Sequence, residues 1–222
     1  MDLLLIIIPA ILIMISQWYI NSSYAKYNKY EVESGITGSK VARKILDDNG
    51  LYDIKIVKVG GTLTDNFNPT NNIVSLSNDI YNGSSIASVA VAAHECGHVI
   101  QHKEKYAPIV IRSALVPVVN FTSKIGYAIM IAGVFASIFN MAIIGLVLFG
   151  STLIFQLVTL PTEFDASSRA KKQLLKLGII TEKELPKVSS MLYAAAMTYL
   201  ASFFASFTQL LRMFLQINRR NS

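Results

Sequence analysis

The sequence predicts a mainly α integral membrane protein, with about four transmembrane helices and one small water-facing α+β unit. Three observations predict it. Of 222 residues, 52% are hydrophobic and only 15% charged, whereas a soluble domain carries about 25% charged residues. The deficit is concentrated in a few apolar runs of bilayer length. The polar stretches between those runs show both helical and alternating periodicity.

Leu3 to Ile20 is nearly all apolar and reaches the ~20 residues that cross a bilayer. Trp18 and Tyr19 sit where interfacial aromatics belong. Residues 1–20 are therefore expected to be an N-terminal anchor. The rival is a signal peptide cleaved after Ser23-Tyr24-Ala25. Met1-Asp2 supplies no basic leader and Pro9 interrupts the run, which favours the anchor.

Residues 21–117 are polar enough to face water. Thr37 is placed to cap a helix through Val41, Ala42, Ile45 and Leu46, ended by Asn49-Gly50. Ile54, Ile56, Val57 and Val59 mark a strand closed by Gly60-Gly61. Thr64 to Asn72 reads as loop, and Ile73 to Leu76 as a second short strand. Asn82-Gly83-Ser84 breaks the chain before a helix expected to run to about Lys103.

Residues 118–160 predict a transmembrane hairpin, with spans at 118–139 and 141–160 and Asn140 as the turn. Residues 161–188 return to water and carry Arg169, Lys171, Lys172, Lys176, Lys183 and Lys187. Residues 189–222 form a last apolar helix and tail. Its small residues, among them Ala194, Ala195, Ala196, Ala201 and Ser202, suit close helix packing in lipid.

The formal charge is +6, but no block of five or six like charges occurs, and no nucleic-acid signature. Nucleic acid is not an expected partner; the bilayer is. The Asn140 turn carries no basic residue while both flanking polar regions carry many, so the positive-inside rule places those regions in the cytoplasm and Met1 outside. Arg219 and Arg220 then fall outside if the last helix crosses, against that rule. The single cysteine, Cys96, excludes an internal disulfide framework and is expected to pack.

The chemistry is concentrated in His94-Glu95-Cys96-Gly97-His98. On a helix, residues four apart differ by about 40° in direction and about 6 Å in height, so both imidazoles can hold one metal ion. Glu95, turned about 100° from His94, flanks that ion as a general base for a metal-activated water. The competing bland explanation is chance occurrence in a metal-free helix. All three histidines of the chain lie at 94, 98 and 102. His102 is about 12 Å along the helix from His94, too far to share the ion, and is expected to be exposed or to support the site from outside.

A catalytic zinc site uses three protein ligands and an open position. Glu163 and Asp165, in Leu160-Pro161-Thr162-Glu163-Phe164-Asp165-Ala166-Ser167, stand at the start of a predicted helix following a span. They point about 200° apart, so one ligates, and Glu163 is the expected ligand. Asp165 is expected either to orient a histidine or to complement the dipole at the helix start.

Four stretches in this order resemble the YugP-type bacterial membrane zinc metallopeptidases: His94 to His98 with Gln101, Arg112 to Pro117, Leu160 to Ser167, and Leu192 to Tyr199. More distantly the chain resembles HtpX-like membrane proteases and CAAX prenyl endopeptidases. These gluzincins take their third ligand from a Glu on a later helix, which supports Glu163. That wider group commonly has an Asp four residues beyond the Glu, where this chain has Ser167. The resemblance implies a zincin-like unit with one catalytic Zn2+, a protein or peptide substrate, and proteolysis at or near a bacterial cell membrane, on its cytoplasmic side by the charge argument. An oxyanion stabiliser is expected among Tyr199, Tyr193 and His102. Two rivals stand beside this: a zinc-stabilised scaffold that binds other proteins, which would not need Glu95, and a small-molecule metallohydrolase.

Overall fold

The computed structural model describes residues 3–221. Met1-Asp2, whose lack of basic charge favours an anchor, lies outside the described residues. In chain order the elements are α1 (Leu4–Tyr27), α2 (Gly38–Asp48), β1 (Lys55–Val59), β2 (Asn66–Asn68), β3 (Ile73–Ser77), α3 (Asn78–Asn82), α4 (Ile86–Lys103), α5 (Ala107–Phe135), α6 (Phe139–Phe149), α7 (Ser151–Lys176) and α8 (Leu185–Asn221). It is a mainly α membrane protein. Four helical stretches, Leu4–Tyr27, Ala107–Phe135, Phe139–Lys176 and Leu185–Arg219, are long and apolar enough to span a bilayer.

The chain divides into two compact units. The first comprises Met1–Gln17, Val110–Pro161 and Met197–Ser222. Its best-packed part is the α5–α6 hairpin, where a Cβ on Gly145 would lie 2.2 Å from the backbone nitrogen of Met130. Without side chains at the crossing the two backbones meet directly, as small residues permit in membrane helices. Met130, Ala142, Leu146, Met213 and Ile217 form a buried cluster around this contact. The turn is not at Asn140. The chain reverses at residues 136–138, with Ser137 in the left-handed region at φ 58, and Asn140 sits in the first turn of α6. The expected third span is also divided, by a one-residue break at Gly150 between α6 and α7.

The second unit comprises Trp18–Ile109 and Thr162–Ala196. α4 runs through its centre and is buried nearly all round, from Ile86 to Gln101. The Ser85 side chain caps it by accepting from the Ser88 N–H at 3.1 Å, satisfying one of the unpaired first-turn donors. α2 lays Val41, Ala42, Ile45 and Leu46 into the core, all fully buried. Thr37 holds the N-cap position, but its side chain makes no capping bond and sits against Ser39 Oγ at 3.3 Å.

The sheet has three strands in the order β1-β3-β2. β1 pairs with β3 in parallel, Lys55 opposite Ile73, and β2 pairs antiparallel to β3, Phe67 opposite Val74. The sequence reading treated the β2 residues as loop. Asn66 and Asn68 are exposed and only Phe67 turns inward, so three residues rich in turn formers carry too little alternation to read as a strand.

Candidate metal centre

α4 projects His94 and His98 from adjacent turns of one face, with ring centroids 4.8 Å apart and planes at 83°. Glu163, on α7 and only 2% exposed, meets both. Its Oε2 lies 3.2 Å from His94 Nε2 and 3.5 Å from His98 Nε2. One donor atom from each of the three lies within 4.8 Å of the others.

The approach of the two helices is made by a glycine. A Cβ on Gly97 would stand 2.5 Å from the carbonyl oxygen of Ala166, closer than real side chains come. The fourth residue of the His94–His98 motif is therefore glycine because the α7 backbone occupies the place of its side chain.

The outer contacts decide which ring nitrogens face inward. Gln101, fully buried, donates from Nε2 to the Thr162 carbonyl at 2.7 Å and to Asp165 Oδ2 at 2.8 Å. Its Oε1 is thereby left to accept, and it lies 3.0 Å from His98 Nδ1. His98 therefore donates from Nδ1, and the neutral ring presents a lone pair on Nε2 toward Glu163. Ser167 Oγ lies 3.2 Å from His94 Nδ1 and pairs with that nitrogen of the other ring. Arg169 Nε in turn donates to Asp165 Oδ2 at 2.5 Å and its NH1 to Glu104 at 2.5 Å.

Nε2 of both rings faces one carboxylate oxygen, an arrangement that favours a positive charge among the three, whether a proton or a metal ion. This N2O set, with Nδ1 of both rings held by outer partners, fits a zinc ion with an open fourth position.

Glu95 is buried, and burial pushes its carboxyl above the usual range, with Glu163 and Asp65 adding to the rise and the two histidines opposing it. Burial alone would lower His98, but the Glu163 carboxylate beside it raises it. Asp65 is also raised by burial, against hydrogen bonds from the Ser77 N–H and hydroxyl. Cys96 is buried with its thiol 3.6 Å from the Ala42 carbonyl, and burial pushes it well above the ordinary thiol range; it packs.

The remaining candidates fall outside the three-residue group. His102 is exposed and meets the Phe67 ring edge-on at 5.9 Å. Asp165 does not stand at a helix start. It lies in the interior of α7, which runs unbroken through Pro161, so the dipole role is withdrawn; the side chain reaches His98 through Gln101. Tyr193 is exposed and lines a groove of about 490 Å3 with Phe164, Ser167, Lys171 and Leu192. Tyr199 belongs to the other unit. Gln101 stands in the family resemblance without a role; its spacing, three residues beyond His98 and so on the same helix face, is the signal that could have given it one.

The model of a family described as "Putative neutral zinc metallopeptidase" matches residues 2–218. The chain belongs to that family. It is a zinc metallopeptidase, and the His94, His98 and Glu163 group is one that could hold the ion. It is also 44% identical over 197 residues, 89% of this chain and 88% of the relative, to the "Putative membrane protease YugP" of Bacillus subtilis (strain 168). No solved structure gives a significant match.

Proposed function

We propose that this zinc metallopeptidase cleaves proteins or peptides internally at the membrane surface, with His94, His98 and Glu163 as metal ligands and Glu95 as general base. The observation that carries the proposal is the convergence of the three donor atoms within 4.8 Å, with a buried carboxyl on the next residue of the same helix.

When bound, zinc lowers the pKa of a coordinated water towards about 7 and polarises the scissile carbonyl. Glu95 accepts the proton of the attacking water and delivers it to the leaving amine. Its raised affinity for protons suits that double task. Gln101 and Ser167 hold Nδ1 of the two imidazoles, so that Nε2 of each ring faces inward. Asp165 and Arg169 hold Gln101.

The Phe67–His102 contact brings edge strand β2 beside α4. An extended peptide pairing with the free edge of β2 would run alongside the metal helix, and the groove next to Ser167 offers room for a side chain. In this reading residues 21–117 and 161–188 carry the chemistry on the cytoplasmic side of a bacterial cell membrane. The basic residues of those stretches support that side.

The test is cleavage of an unfolded model protein by detergent-purified, zinc-loaded enzyme, parent against Glu95→Gln. Turnover by the parent and its loss in a variant that keeps zinc is the expected result. Equal turnover by both would overturn the assignment of Glu95.

A further inference from the structure

The membrane unit holds a feature that peptide hydrolysis does not use. α5 and the C-terminal part of α8 enclose a groove of about 350 Å3. Met130, Ile131 and Val134 give it an apolar wall on α5, and Arg212, Gln216 and Arg219 line it from α8. These three are spaced i, i+4 and i+7, which places them along one helix face. No acidic residue is among the lining residues.

Arg212 and Arg219 lie about 10 Å apart along the axis of α8, a helix long and apolar enough to span a bilayer. Guanidinium groups beside an apolar wall on such a helix favour an anionic partner. The groove is thus cationic along α8 and apolar along α5, the two chemistries of a phospholipid in one cleft. Both guanidiniums present planar forks that match phosphate oxygens.

We infer that this groove binds an anionic phospholipid, with Arg212 and Arg219 on the headgroup phosphate, Gln216 donating beside them, and the first methylenes of an acyl chain against Met130, Ile131 and Val134. A zwitterionic lipid would bring its own ammonium group to a cluster that is already cationic, so the groove selects net negative charge.

Native mass spectrometry of the full-length protein in micelles containing equal phosphatidylglycerol and phosphatidylcholine, matched in acyl chains, tests it. The parent should retain phosphatidylglycerol over phosphatidylcholine by roughly tenfold or more, from two basic groups at an anionic headgroup. Arg212→Gln with Arg219→Gln should bring the ratio close to one, Arg212→Lys with Arg219→Lys should keep most of it, and Val134→Trp should lower retention of both lipids by filling the cleft. Zinc content and helical circular dichroism equal to the parent's verify that each variant is folded, and Val134→Trp stands alone if the glutamine pair is not. Equal retention of the two lipids by the parent would overturn the inference. So would a preference that survives the folded variants, or displacement of phosphatidylglycerol by an equal concentration of inorganic phosphate, which would make the groove a simple anion site.

Discussion

Gln101 Nε2 donates a 2.7 Å hydrogen bond to the carbonyl of Thr162, the residue immediately before Glu163. The same side chain accepts from His98. One buried amide therefore sets the ring orientation of one candidate ligand and the helix that carries another. Gln101→Leu, similar in volume but without polar atoms, should lower zinc affinity by about 10- to 100-fold, the usual cost of losing an outer-shell partner. Competition with a chelator of known affinity reads it. Unchanged affinity would mean that packing alone orients His98.

Glu95 and Glu163 should separate cleanly by metal content. Glu95→Gln should bind zinc like the parent and lose about 100- to 10,000-fold in kcat, the range of general acid–base catalysis. Glu163→Ala removes a donor and should lose zinc during dialysis that leaves the parent loaded. A Glu163→Ala protein that holds zinc as tightly as the parent would assign the third ligand elsewhere.

Gly97→Ala is a test of helix approach. Its new methyl would stand 2.5 Å from the Ala166 carbonyl, so α4 and α7 must part. Overpacking of this kind costs about 1–3 kcal/mol. The thermal midpoint should fall, and zinc affinity with it, because Glu163 and Ala166 share α7. A lower midpoint with zinc affinity intact would show that the centre tolerates the shift.

Acid should loosen a different joint. Glu184 accepts from the N–H groups of Glu33 and Thr181, at 2.9 and 2.8 Å, and from the Thr181 hydroxyl. Burial would raise its carboxyl, but these donors outweigh that and hold it below the usual range. A depressed folded-state pKa contributes stability that is fully present above the unfolded value, about 4.3. That contribution is lost as pH falls through the folded value. Amide exchange at Glu33 and Thr181 should therefore accelerate below about pH 4, relative to the intrinsic acid dependence, and Glu184→Gln should flatten that response. A parent protein without the acceleration would show that the joint does not open locally.

Much of the architecture is legible because lipid imposes a simple rule: a span must be long and apolar, and runs such as Leu3 to Ile20 declare themselves. The metal helix is legible because two histidines and a glutamate at fixed spacing have few other uses. Local geometry inside the spans is not. Ser137 rather than Asn140 makes the hairpin turn, in the left-handed region, and Gly145 packs on Met130 where the two helices cross. Pro161 lies inside α7 rather than at a helix start. The role of Gln101 is not legible for a reason of distance: its partners Thr162 and Asp165 lie 61 and 64 residues away, and spacing along one helix says nothing about such pairings.

The separation of His94 from Glu163, 69 residues, also orders events in time. At a synthesis rate of about 5–20 residues per second, the ribosome releases the carboxylate several seconds after the first histidine. The α5–α6 hairpin is made in that interval. On the proposed ligand set, a nascent chain that has not yet produced this hairpin has two imidazoles and no third donor. Synthesis of the membrane hairpin therefore precedes completion of the proposed centre, and a chain that stalls early lacks its carboxylate.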